Sequence, residues 1–142
     1  MLVDANLLLF AIDAGSPWHR RAADWLTAQL NGDQRVGIPW ESLGAFVRIA
    51  THPRASDRPL QPDEAWTFVE EWLAVPTVWV PQPTEAHADV LGSLVRRYHL
   101  TGNLVPDAHL AAIAIEHGLE VCSADSDFAR FTEIRWRNPL AA

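Results

Sequence analysis

Met1-Leu2-Val3-Asp4-Ala5-Asn6-Leu7-Leu8-Leu9 is an apolar run interrupted by one carboxylate. A run without polar alternation suits a strand covered on both faces, as in a parallel sheet flanked by helices. In open sheets of that kind, ligands gather beyond the carboxyl ends of the strands. Asp4 therefore reads as an acid where a buried first strand ends, and a lone carboxylate there is costly without a partner or a metal. The same residue also reads as the cap of a following helix, with Asn6 in the turn. Position 4 alone does not separate the two.

At 142 residues, with 49% hydrophobic and 20% charged, the chain is expected to form a single domain over 1–142 with a sizeable core. No stretch approaches the roughly 20 apolar residues of a membrane span, and no cleavable signal pattern precedes Asp4. The expected compartment is the cytoplasm, without a membrane partner. Cys122 is the single cysteine and, in its apolar context, is expected as a buried thiol.

The net charge of -7 argues at first sight against a nucleic-acid partner. The sum hides where the charges lie. Two divalent ions at a shared carboxylate site would take -7 to -3, and eleven arginines remain for a local basic rim. There is no lysine at all. That excludes a P-loop lysine, a Schiff base and lysine-dependent phosphoaspartate chemistry.

After the first strand, Ser16-Pro17 reads as a cap and first helical position, and Trp18, Ala22, Trp25, Leu26 and Leu30 share a helical face that stops at Gly32. Arg20 and Arg21 fall off that stripe, which suits a solvated face, with a phosphate contact as the alternative. Arg35–Ile38 reads as a strand ended by Pro39. Trp40–Ala50 reads as a helix with Leu43, Phe46, Val47 and Ala50 on one side and Glu41 in its first turn. By itself Glu41 is an acid that suits the helix dipole.

Thr51–Leu60, with two prolines and two arginines, reads as a loop. Together with Arg48 it is the candidate substrate-facing arm. Pro62 opens a helix bearing Ala65, Trp66, Val69, Trp72 and Leu73, and these tryptophans are expected to pack between helices. Thr77–Val80 reads as a strand. Thr84 caps a helix carrying Leu91, Leu94 and Tyr98, with Arg96 and Arg97 near its end.

Pro106 starts and Gly118 ends an alanine-rich helix with Asp107 in its first turn. Glu120–Ser123 reads as a strand running straight into Asp125 and Asp127, and Ile134–Trp136 as a short edge strand.

Right-handed crossovers in a parallel sheet put all strand ends on one edge. Asp4, Glu41, Asp107 and Asp125 with Asp127 then converge there from four segments. Clustered carboxylates repel one another, so the convergence implies bound divalent cations, and hard oxygen donors of this kind suit Mg²⁺ or Mn²⁺. Such ions serve phosphodiester cleavage by a metal-activated water. Zinc is disfavoured, because His109 and His117 stand eight apart and no Cys/His spacing occurs; the histidines read as surface or capping residues. Gly-x-Ser-x-Gly is absent.

Leu-Val-Asp4-Ala-Asn6 at the N-terminus, Glu41 at a helix start, Pro106-Asp107-Ala-His-Leu-Ala-Ala-Ile-Ala before Gly118, and Ser123-Ala-Asp125-Ser-Asp127-Phe128 together resemble a PIN domain. The likeness is closest to the VapC toxins of bacterial toxin–antitoxin pairs and covers essentially the whole chain. It implies a three-layer α/β/α sandwich around a mainly parallel sheet, a metal-dependent endoribonuclease and a cognate VapB-like antitoxin folding over the site.

Carried over by motif, Asp4, Glu41, Asp107 and Asp125 would form the acidic quartet around Mg²⁺ or Mn²⁺. Asp127 would be a fifth acid, and Asn6 and Ser123 polar support. The family's usual threonine is replaced here by Ser123, which keeps the hydroxyl. Family members commonly dimerise, so a homodimer is expected. Arg48, Arg54 and Arg58, with Arg96, Arg97 and Arg130 behind them, are the candidate phosphate contacts on an RNA substrate.

Two other readings stand beside this one. One is a metal-dependent phosphatase or DNA nuclease. The other is a PIN-like interaction module whose acids are structural.

Overall fold

In the computed structural model, which describes residues 1–55 and 57–141, a five-stranded sheet has the order β3-β2-β1-β4-β5 with every neighbouring pair parallel. The strands are β1 (Leu2–Val3), β2 (Val36–Gly37), β3 (Val78–Trp79), β4 (Val121–Cys122) and β5 (Trp136–Arg137). Leu2 pairs with both Gly37 and Val121, which makes β1 the central strand. From β1 the chain moves outward to β2 and β3 on one side, then crosses to β4 and β5 on the other. The strand order thus reverses between β1 and β4, and a crevice opens beyond the strand ends at such a switch point.

Helices cover both faces. α1 (Ala5–Ile12), α2 (His19–Leu30), α3 (Trp40–Ala50) and α4 (Pro62–Ala74) lie on one side, and α5 (His87–Tyr98) and α6 (Leu104–His117) on the other. Successive strand side chains point to opposite faces. Val3 and Cys122 accordingly join Leu7, Leu8, Leu26, Phe46 and Trp72 in one core, while Leu2 and Val121 join Leu94, Ile113 and Phe128 in the other. The result is the expected α/β/α sandwich. Cys122 is a free, buried thiol, as expected, and burial pushes its pKa up.

Asp4 lies where the first strand ends, as expected, while several helix starts need correction. β1 ends at Val3 and α1 begins at Ala5, so the leucines at 7 and 8 fill the core from a helix. An unbroken apolar run looks alike for a buried strand and a short buried helix, and only the cap at Asp4 distinguishes them. α2 starts at His19, and Ser16 instead accepts the Trp18 N–H at 3.1 Å. α5 starts at His87 rather than at Thr84, whose hydroxyl accepts the Ala86 N–H at 3.1 Å in a turn.

α6 begins at Leu104, with Pro106 inside its first turn, where the missing N–H would have had no helical partner. Its C-terminus is Gly118 at φ +67°, the left-handed position expected of a terminating glycine. A 3-10 turn, Ser126–Arg130, follows β4 and was not foreseen.

The tryptophans divide. Trp72 is buried against Phe46, with ring centroids 4.8 Å apart. Trp66 packs between helices as expected, stacked on Trp40 of α3 with ring centroids 6.4 Å apart, yet stays 45% exposed, and Trp18 at the start of α2 is 44% exposed. Helical spacing marks a face, and a tryptophan at its margin stays half in water.

In the Thr51–Leu60 loop the Leu60 N–H closes onto the Ala50 carbonyl at 2.8 Å. Ser56 lies outside the described residues, as does Ala142 at the end of the expected domain. Gly37 is where β2 meets its neighbours most closely. A Cβ there would come within 2.9 Å of Pro81 Cγ and 3.0 Å of the Met1 carbonyl oxygen.

Candidate metal centre

Asp4 sits where β1 gives way to α1, and it carries out both roles open to it. Its backbone is extended, and Oδ1 accepts the Ala5 N–H at 2.7 Å as the helix cap. Oδ2 accepts the Ser123 hydroxyl at 2.7 Å and the Asn6 side-chain amide at 3.3 Å. Ser123 is wholly buried at the end of β4. Besides donating to Asp4, its Oγ accepts from the Asn6 amide and from the Asp125 N–H, both at 3.0 Å. One hydroxyl thereby uses its donor and both lone pairs to tie the end of β1 to the end of β4. Asn6 completes the tie by accepting the Ala124 N–H at 3.2 Å.

This local bonding sets the direction of Asp125. Asp125 caps the 3-10 turn, with Oδ1 accepting the Asp127 N–H at 2.8 Å. Asp107 comes from the first turn of α6. Oxygens of Asp107, Asp125 and Asp127 lie within 4.8 Å of one another. Arg130 is the cation beside them, with its side chain 3.5 Å from Asp127 Oδ1.

The charges act on one another strongly. Burial raises the Asp107 pKa from 3.8 to about 6, helped by Asp125, Asp4 and Asp127 and opposed by Arg130. Burial also raises Asp4. The Ser123 and Ala5 donors pull it back, and Asp125 pushes it up again.

Glu41 stands apart from that trio. Ser42, its neighbour, is buried and donates to the Val3 carbonyl at 2.6 Å, fixing the start of α3 against the end of β1. Glu41 Oε1 is 3.5 Å from His109 Nε2, while Glu41 Oε2 is buried with no hydrogen-bond partner among the described residues. A buried, unpartnered carboxylate oxygen is costly in the absence of a ligand. That orphaned oxygen, and three carboxylates with oxygens within 4.8 Å of one another, fit a hard divalent cation held by oxygen donors.

Of the residues singled out from sequence, Asp107, Asp125 and Asp127 are brought together. Asp4 is held beside them with both oxygens already engaged within the chain. Glu41 lies outside the set, Asp127 lies within it, and Asn6 and Ser123 connect the strands. Arg48 lies in the last turn of α3 and is exposed, as are Arg54 and Arg58 in the loop that follows. Arg97 pairs with Glu133 at 3.2 Å.

His109 and His87, read from sequence as surface or capping residues, are both drawn into the polar surroundings of Glu41. The signal was there in α6: His109 interrupts a helix whose residues 108 and 110–114 are all buried and apolar, and a polar side chain in that company needs a partner.

The PIN domain family model matches residues 1–134, which include all five acids. The chain belongs to the PIN-domain family. Ribonuclease VapC37 of Mycobacterium tuberculosis is 45% identical over 140 residues, spanning 99% of this chain and 97% of that protein. Ribonuclease VapC33 of the same species is 39% identical, spanning 99% and 98%.

Among solved structures, M. tuberculosis VapC20, described as a Sarcin-Ricin loop cleaving toxin, superposes with a TM-score of 0.69 at 18% identity, covering 94% of this chain and 98% of that one. VapBC2 from Rickettsia felis, bound to a DNA fragment from its promoter, gives 0.68 at 13% identity with 96% of each chain covered. These likenesses extend over the whole PIN-domain sandwich.

Two outcomes follow. Ser123→Ala removes a buried donor from Asp4 and an acceptor from Asn6 and Asp125, and should lower unfolding stability by roughly 1–3 kcal/mol in a urea titration. For Asp107, the folded state holds a proton between pH 3.8 and about 6 that the unfolded chain has released. Its contribution to metal-free stability is therefore lost as pH rises through that window. Protons and cations compete for the same oxygens. Added Mn²⁺ should raise the unfolding temperature clearly at about pH 7.5 and little at about pH 5, read by thermal unfolding with and without chelator.

Proposed function

We propose that the chain is the toxin of a toxin–antitoxin pair, an endoribonuclease that hydrolyses RNA phosphodiester bonds with Mg²⁺, or Mn²⁺ in its place. The observation that carries this is the Asp107, Asp125 and Asp127 cluster at the sheet's switch point, in a chain 36–45% identical to proteins named VapC ribonucleases.

Asp107, Asp125 and Asp127 would hold the cation, with Glu41 Oε2 and Asp4 as the further members of the site. A divalent ion bound there supplies a water acidic enough to act as nucleophile near neutral pH and offsets charge building on the phosphate. The protein's own part is positioning. Ser123 and Asn6 hold Asp4 and Asp125 in fixed relation, so the acids are in place before substrate arrives. With the carboxylates charged and no lysine nearby, the approach of a polyanion depends on the metal and on arginines. Arg130 sits at the cluster, and Arg48, Arg54 and Arg58 are the proposed outer phosphate contacts.

A VapB-like antitoxin is the proposed protein partner, supported by the solved toxin–antitoxin complexes that share the fold. Trp18, Trp40 and Trp66 leave apolar area at the surface that protein contacts, including a homodimer, would cover. Among the described residues no helix is long and apolar enough to cross a membrane, and the proposed site of action is the cytoplasm.

Incubation of the purified chain with total RNA tests the proposal. Cuts at a few defined sites should appear with Mg²⁺ or Mn²⁺, vanish with chelator, and fall by at least about 100-fold in Asp107→Asn. Cleavage unaffected by chelator and by Asp107→Asn would reject it.

A further inference from the structure

Beyond the acids, a second line of polar side chains runs from Glu41 into the body of the protein. His109, two residues after Asp107 on α6, faces Glu41 across 3.5 Å. Its ring lies against that of His87, with centroids 4.7 Å apart and planes tilted by 50°. His87, at the start of α5, is 2.6 Å through Nδ1 from Glu116 Oε2. Glu116, near the end of α6, has a side chain only 1% exposed. Its Oε1 accepts both the N–H and the hydroxyl of Thr84, at 2.8 and 2.6 Å. Burial alone would raise Glu116, but the Thr84 and His87 donors outweigh it and keep the group a carboxylate.

Each link inward from His109 is satisfied, and the outer link is open. His109 Nε2 and Glu41 Oε2 are both buried without a hydrogen-bond partner among the described residues. At 3.5 Å the His109–Glu41 contact lies outside the ordinary N–H···O range of about 2.7–3.2 Å, and a shift of a few tenths of an ångström closes it. Glu41 is a long side chain whose rotamer freedom must be lost before it can serve a cation. A donor on Oε1 fixes the carboxylate while leaving Oε2 to face the ligand. A carboxylate that binds metal commonly has such a supporting hydrogen bond.

We infer that His109 is a positioning residue for Glu41, donating from Nε2 to Oε1, with its ring backed by His87 and anchored through Glu116 to the Thr84 turn. This rests on the reading of Glu41 as a metal-binding acid. His109 itself is assigned as a support and not a ligand, because its Nε2 faces the Glu41 carboxylate at 3.5 Å.

His109→Phe keeps a ring against His87 but removes the N–H, and His109→Gln keeps an N–H near the position of Nε2. His109→Ala replaces the Phe variant if the phenyl ring disturbs the fold. Mn²⁺ affinity measured by calorimetry should fall about 10- to 100-fold in His109→Phe, recover in His109→Gln, and fall less in His87→Ala. In a Glu41→Gln background, His109→Phe should cause no further loss. The far-ultraviolet circular dichroism and metal-free unfolding curve establish that each variant is folded.

A folded His109→Phe with wild-type affinity overturns the inference, as does a loss that persists in the Glu41→Gln background. If the wild-type chain binds no Mn²⁺, the metal-nuclease reading falls first and this inference with it.

Discussion

Carboxylates brought to one edge of a sheet repel one another, and this constraint shapes the centre of the molecule. Asp4, Asp107, Asp125 and Asp127 are drawn from the end of the central strand, a helix start on the opposite layer, and the turn after β4. Nothing in the chain offers a lysine against them, and Arg130 is the cation that bears on Asp107. Burial lifts the Asp107 pKa to about 6, and the neighbouring Asp125, Asp4 and Asp127 add to it. An arrangement of this kind survives only where the surrounding structure over-determines it and where a ligand relieves it.

Most of the holding is done by the parallel sheet and by Ser123. The sheet's order reverses between β1 and β4, so the two strand ends that carry acids are adjacent. Ser123 is common to the two ends, engaging Asp4, Asn6 and the Asp125 backbone with a single hydroxyl. Two cores clamp the sheet from either side, and Ser42 binds α3 to the end of β1. The acids are therefore attached to rigid elements. Their geometry is a property of the fold.

The sequence made the architecture legible through residues whose local demands agree. Continuous apolar strands, Pro106 inside a helix start and Gly118 at its end all pointed to alternating strands and covering helices. The acids at strand ends were legible for the same reason. What could not be read were features decided by neighbours distant in the chain.

The exposure of Trp18 and Trp66 depends on where a helix face ends. His109 looked like any surface histidine because its partners, Glu41 and His87, are 68 and 22 positions away in sequence. Asp127 seemed the outlying acid and Glu41 a core member, whereas the tight cluster contains Asp127 and not Glu41.

The central claim is that the cluster at the switch point is a cation site. Anomalous diffraction from crystals of the chain grown with Mn²⁺ tests it most directly. The account predicts an anomalous peak bounded by Asp107, Asp125 and Asp127, with Glu41 turned toward it. Bound Mn²⁺ found only elsewhere, or three acids that stay free of metal at saturating Mn²⁺, would contradict it.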